Sequence, residues 1–246
     1  MVMKKSKTRL YFDKKLSNNI MIYIKEKQHH FLKNVLRIKV KDLISVFDGV
    51  TGEWLSEVIS INRDNIVLQI KKKISEIEKE TDLWLIFSPI KLFRMNITIQ
   101  KATELGVSQF IPCITQNTNL TKINMRNLYM NIVEAAEQSE RLTLPKLNEV
   151  VNLNNLLRDF PKDRGLIFCN ENDKNLPSIF KALENKSSIF KKWAILIGPE
   201  GGFSETETKE ILSISSSIPV SLGKRILRSD TATTAALFAV QSFIEK

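Results

Sequence analysis

"LIGPEGGFSETE", residues 196–207, places Gly198, Gly201 and Gly202 within five consecutive positions of a chain that has eight glycines in all. Glycine has no Cβ and loses more backbone freedom on ordering than any other residue. Three together mark a backbone that turns sharply or that another group approaches closely. The flanks say where this happens. "WAILI" ends at Ile197 and reads as a buried strand, while Ser204-Glu205-Thr206-Glu207 has the spacing of a capping box that opens a helix. Residues 198–202 are therefore expected to form a loop at the carboxyl end of a strand, the place where open α/β sheets bind ligands.

The sheet itself is legible around this loop. The strand-like runs "LWLIFSPI", "SQFIPCIT", "GLIFC", "WAILI" and "IPVSLG" alternate with the helical runs "FRMNITIQKATELGV", "MRNLYMNIVEAAEQSER", "PSIFKALENK", "SETETKEILSI" and "TATTAALFAVQSFIEK". This alternation predicts a largely parallel sheet with helices on both faces. A second loop, "KRILRSD", leads from Gly223 into the last helix, and the two loops are expected to wall one site.

The first third has another rhythm. "RLYF", "IMIYI", "LISVF", "EWLSEVISI" and "NIVLQI" are short and strand-like, with turn formers at Asp48-Gly49 and at residues 62–65. They predict consecutive hairpins forming a small β-barrel, interrupted by the helical insert "KEKQHHFLKNVLR". "KKKISEIEKETD", residues 71–82, reads as a linker or as the last edge of this domain, so the domains are expected at residues 1–73 and 74–246.

The net charge of +10 is divided unevenly between them. Residues 1–73 hold 16 Lys and Arg against 7 Asp and Glu, whereas residues 74–246 hold 21 against 20. An excess confined to one segment points to a polyanion such as RNA. In "KKSKTRLYFDKK", Lys4, Lys5, Lys7 and Arg9 can meet phosphates while Tyr11 and Phe12 can stack on bases. A basic tail that only keeps the chain in solution is the plain alternative. His29 and His30 have no third ligand nearby and read as packing or phosphate-contact residues. Cys113 and Cys169, far apart and without a C-x-x-C spacing, read as structural thiols, so neither a disulfide nor a metal site is expected. No apolar run approaches the ~20 residues of a membrane span, which predicts a cytoplasmic protein without a membrane partner.

A glycine loop before a helix commonly holds phosphate. Here the chain lacks both G-x-x-x-x-G-K-[ST] and G-x-G-x-x-G, and Glu200, Glu205 and Glu207 surround the helix start with negative charge. A ligand with an adenosine ring and a cationic centre suits this loop better than a triphosphate.

"LIGPEGGFSETE" and "LGKRILRSDTATTAAL", with "IQKATELGV", "EAAEQSER" and "HHFLKNVLRIKVKDLISVFDG" upstream, resemble the bacterial small-subunit ribosomal RNA uridine N3-methyltransferases of the SPOUT superfamily. Ser229-Asp230 departs from the threonine and glutamate more usual there, keeping the functional groups. The resemblance implies a PUA-like amino-terminal barrel, then a Rossmann-like α/β domain with a carboxy-terminal trefoil knot. It further implies a homodimer that binds S-adenosylmethionine and acts on 16S ribosomal RNA or the small subunit. Carried onto the matching positions, it gives Leu196, Ile197, Gly198, Pro199, Glu200, Gly201, Gly202, Leu222, Gly223, Ile226 and Leu227 as cofactor contacts. Arg228 is then a candidate to stabilise charge on uracil oxygens, and Glu200 a candidate base or orienter. Asp230 is expected to cap the last helix or orient Arg228, and Arg37 and Arg141 join the RNA contacts. Gln138 can contact RNA or a second subunit, and Lys101 and Glu104 can simply pair. Three rivals stay open: a non-catalytic RNA-binding factor, a nucleotide hydrolase, and a methyltransferase acting on ribose 2'-hydroxyls.

Overall fold

The structure is a computed structural model that describes residues 6–120, 122–171, 173, 175–186 and 189–244. Lys4 and Lys5 lie outside the described residues. The chain divides into two compact units, residues 1–79 with 136–144, and residues 80–135 with 145–246.

The first unit contains β1 (Arg9–Tyr11), β2 (Met21–Ile24), α1 (Glu26–His30), a π-helix (Phe31–Val35), β3 (Leu43–Phe47), β4 (Glu53–Ile61) and β5 (Ile66–Ser75). The strands form one sheet in the order β1-β3-β4-β5-β2. Among the described residues, only β3–β4 and β4–β5 are hairpins. β1 runs parallel to β3, and β2 pairs antiparallel with β5 at the far edge. The expectation of consecutive hairpins fails there because β2 leads into the α1 insert, whose length lets the chain return to a different edge. β4 alternates in burial, turning Trp54, Ser56 and Val58 inward. They meet Leu10, Ile44, Val46, Ile66, Leu68 and Ile70 in the core, apart from Ser56, whose hydroxyl is satisfied by the Ile44 carbonyl at 2.7 Å. β5 continues through Lys71–Ser75, so the start of the charged 71–82 stretch is strand.

The second unit contains β6 (Leu83–Phe87), α2 (Leu92–Glu104), β7 (Gln109–Ile114), α3 (Met125–Gln138), β8 (Lys146–Leu147), β9 (Val151–Asn152), α4 (Leu153–Arg158), β10 (Arg164–Cys169), α5 (Ile179–Lys186), β11 (Lys192–Ile197), α6 (Glu205–Ser213), β12 (Ser217–Val220) and α7 (Ser229–Ile244). The last turn of α3 groups with the first unit. The strand order is β12-β10-β11-β6-β7-β8, with β9 on β7, and every pairing is parallel. Leu85, Ile86, Leu166, Ile167, Ala194 and Ile195 are all below 1% exposed. Such continuous burial is what helices on both faces of a parallel sheet impose. Leu153 and Leu157 of α4 and Ile211 of α6 join the cluster around Ile86, Phe168 and Leu196. α7 packs against α2, α5 and β11. All strands run the same way, so the exits of β10, β11 and β12 lie together at one end of the sheet.

Candidate active site

The glycine loop leaves β11 at that end. Pro199 is buried, and the Gly202 N–H donates to the Pro199 carbonyl at 3.0 Å, closing a tight turn. Gly202 has φ +67°, the left-handed region that glycine reaches without strain. The other two glycines have steric reasons. A Cβ on Gly198 would stand 2.7 Å from the Phe203 ring, which packs edge to face on Phe168 at 5.4 Å. One on Gly201 would stand 3.2 Å from the Asn117 Cβ. A side chain at Gly198 would therefore force Phe203 to move, and one at Gly201 would crowd Asn117.

The capping box forms as expected. The Ser204 hydroxyl accepts from the Glu207 N–H at 3.2 Å, and the Glu207 carboxylate accepts from the Ser204 N–H at 2.9 Å. Its other oxygen accepts from the Gln116 N–H at 2.7 Å, tying the exit of β7 to the start of α6. Glu200 is exposed at the tip of the loop and ion-paired with Arg94 of α2 at 2.5 Å.

A hydrogen bond links the second loop's end to the first. The Ser229 hydroxyl donates to the Gly198 carbonyl at 3.3 Å, which brings the start of α7 to the exit of β11. Leu196 and Ile197 are buried in β11, Leu222 and Leu227 are half-buried, and Gly223 is exposed with φ +120° and no atom near the position of a Cβ. Ile226 is 81% exposed, and Arg228 is exposed too, its carbonyl accepting from the Ala232 N–H at 2.7 Å to open α7. Asp230 does not cap the helix with its Oδ1, because that oxygen is buried without a hydrogen bond to a described residue. A sheltered carboxylate oxygen on Asp230, the open backbone of Gly223 and the half-buried Leu222 and Leu227 are chemically suited to a cationic, part-apolar ligand. Burial pushes the Cys169 thiol at the end of β10 up to about 12; burial, then Glu207, does the same to Cys113, so both stay neutral.

A cavity of about 520 Å3 lies between the exit of β7 and the starts of α4 and α6, lined in part by Gln116, Asn152, Leu153, Asn155 and Glu210. None of residues 196–202 or 222–228 lines it. Among the described residues no His, Cys, Asp and Glu cluster could hold a metal ion, and no helix is long and apolar enough to cross a membrane. Lys101 pairs with Glu104 at 2.8 Å.

The RNA candidates of the first unit separate into two kinds. Arg37 is exposed, with φ +50°, where the π-helix ends and the Ile38 N–H reaches back to the Leu32 carbonyl at 3.1 Å. Lys7 pairs with Asp42 at 2.6 Å, and Arg141 donates to the Thr143 hydroxyl at 3.2 Å. Arg9 is corrected from a phosphate contact to an internal brace. Its side chain is 10% exposed, pairs with Glu53 at 2.8 Å, and donates to the carbonyls of Ala136, Glu137 and Arg141 at 3.2–3.3 Å. The guanidinium also lies 4.7 Å from the Phe47 ring centroid. Breaking a buried pair of this kind costs about 3 kcal/mol. Arg9→Ala is expected to lower the melting temperature of the protein clearly while leaving the salt dependence of RNA binding unchanged. A stable variant with a flatter salt slope would return Arg9 to the RNA surface.

Sequence reasoning found the two loops but missed their props. Arg94 lies in a helix read only for its apolar period, and Asn117 sits in "TQNTNL", which carries turn formers without any motif.

A family model described as an RNA methyltransferase domain matches residues 77–241, and one described as an RNA methyltransferase PUA domain matches residues 24–71. The ribosomal RNA small subunit methyltransferase E of Rickettsia conorii is 31% identical over 234 residues, covering 95% of this chain and 94% of its own. That of Bacillus subtilis is 30% identical over 226 residues, covering 87% of each. Among solved structures, a Legionella pneumophila methyltransferase in complex with the cofactor SAM superposes with a TM-score of 0.82 at 25% identity, covering 97% of this chain and 98% of that one. The Neisseria gonorrhoeae ribosomal RNA small subunit methyltransferase E bound to S-adenosylmethionine gives 0.80 at 26% identity, covering 96% and 97%. With the domain match spanning more than half of its length and relatives aligned along nearly all of it, the chain belongs to the RNA methyltransferase family.

Proposed function

We propose that this protein transfers a methyl group from S-adenosylmethionine to N3 of a uridine in 16S ribosomal RNA. The observation that carries the reading is the hydrogen bond from Ser229 to Gly198, which joins the two strand-exit loops into one site. The relatives' names and the S-adenosylmethionine held by two structural neighbours support it. Residues 196–202 and 222–227 would hold the cofactor, with Pro199 fixing the turn and Ile226 and Leu227 offering apolar surface. Bound there, the cofactor supplies a methyl group already activated on a sulfonium. The chain's residues orient the base and stabilise charge. As N3 gives up its proton, negative charge develops on the uracil oxygens, and the exposed guanidinium of Arg228 is free to approach them. Glu200 has its carboxylate engaged by Arg94, so it serves as an orienter and the proton passes to water.

Residues 1–73 are read as the RNA-holding domain. Lys25, Lys27, Arg37, Lys39 and Lys41 are exposed along the α1 insert and the turn after it, with Glu26 the one acidic residue between positions 25 and 41. A second copy of the chain is read against α2 and α7, which leave Leu92, Phe93 and Phe238 at least half exposed.

The test is methylation of small-subunit RNA and of assembled subunits by the purified protein with labelled S-adenosylmethionine, followed by mapping of the modified nucleotide. One methyl group on N3 of a single uridine is expected. A methyl on a ribose 2'-hydroxyl, or no transfer to either substrate, overturns the proposal.

A further inference from the structure

Asn117 belongs to no motif and stands well away from the glycine loop in sequence. β7, which it follows, is separated from β11 by β6 in the sheet. Its side-chain nitrogen nonetheless lies 3.0 Å from the Gly201 carbonyl and 3.1 Å from the Gly202 carbonyl. An asparagine amide nitrogen carries two hydrogens, so one side chain can satisfy both acceptors at once. Because each peptide unit is planar, holding two successive carbonyls fixes the two planes around Gly202, and with them the turn closed on Pro199.

The base on which Asn117 stands is itself braced. The Thr115 N–H donates to the Thr118 hydroxyl at 2.9 Å, the Thr118 N–H to the Thr115 carbonyl at 3.1 Å, and the Gln116 N–H to Glu207 at 2.7 Å. Glu207 is 7% exposed and is also the capping-box residue of α6. The 115–118 turn is thus fixed to both the β7 exit and the helix that follows the glycine loop, and Asn117 is the arm that reaches from it to the loop.

We infer that Asn117 is a positioning residue for S-adenosylmethionine: it presets the backbone of residues 199–203 in the form that receives the cofactor, without touching the cofactor itself. The inference rests on the proposed cofactor site. It fits the glycine at position 201, where a Cβ would press at 3.2 Å on the Asn117 side chain that holds the loop. A preset loop saves the ordering cost of binding, which appears in affinity rather than in the rate of the chemical step.

Asn117→Asp keeps the shape, removes both donors and points a carboxylate at two carbonyls. Asn117→Ala removes the arm without adding repulsion. Losing two hydrogen bonds is expected to raise the dissociation constant and KM for S-adenosylmethionine about tenfold in the alanine variant, and further in the aspartate variant. The turnover number at saturating cofactor should stay within about twofold, and RNA affinity should not change. Calorimetry, steady-state kinetics and a melting curve on each variant read these out, with Gly201→Val measured alongside. If Gly201→Val loses cofactor affinity while both Asn117 variants keep it, the role of Asn117 is overturned and the cofactor site stands. If none of the three changes affinity, the cofactor site itself falls. A loss of cofactor and RNA binding together, with a lowered melting temperature even in the alanine variant, marks a merely structural residue and also overturns the inference.

Discussion

Arg228→Ala lowers the single-turnover methylation rate about 100-fold, the usual loss when one donor to a developing oxyanion is removed, while cofactor and RNA affinities stay close to those of the unaltered protein. The expectation follows from its setting. Arg228 is exposed, stands just before the first residue of α7, and is bound into the fold through its backbone carbonyl, which any residue can supply. Removing the guanidinium therefore costs the helix no hydrogen bond. An interaction made mainly in the transition state shows in the chemical step at saturating substrates. The measurement is that rate beside a melting curve of the same preparation. A stable variant that binds both ligands and methylates at the original rate removes Arg228 from the mechanism.

Gly201→Val has its large effect on cofactor binding. The new Cβ would lie 3.2 Å from the Asn117 Cβ, and the valine methyls extend further into the same space. Either Asn117 gives way and its two bonds to the loop are lost, or the loop shifts. Overpacking of this kind costs about 1–3 kcal/mol, and spread onto the loop it raises the dissociation constant of S-adenosylmethionine about 100-fold. The core strands are not involved, so the variant should fold. Calorimetry on the folded variant decides, and unchanged affinity would falsify the assignment of this loop to the cofactor.

The parallel sheet, the strand-exit position of the glycine loop and the Ser204–Glu207 capping box could be read from the sequence because each rests on local spacing. Hydrophobic period separates strand from helix, and a capping box needs only four adjacent residues. What escaped depends on contacts between distant segments. Asn117 meets Gly201 and Gly202 across 84 and 85 positions, and Arg94 meets Glu200 across 106. No spacing rule reaches that far. Arg9 shows the same limit with the opposite sign. Its basic neighbourhood reads as a phosphate surface, yet the carbonyls that enclose it come 127–132 residues later. α4 was missed for a different reason, since six residues with three asparagine or arginine side chains among them show too little of a period to declare a helix.

The grouping of residues 136–144 with residues 1–79 bears on how the protein can be made and how its gene can vary. As the chain leaves the ribosome, amino-terminal regions usually fold first. Here Arg9 must wait for more than fifty further residues of the other unit to be synthesised before its last carbonyl partners exist. Assembly of the first unit is therefore completed late, after β6, α2, β7 and most of α3 have already emerged. The same threading makes the first unit a poor candidate for transfer to another gene as a single cassette. A segment cut at Lys79 would carry the brace and leave behind the backbone that receives it.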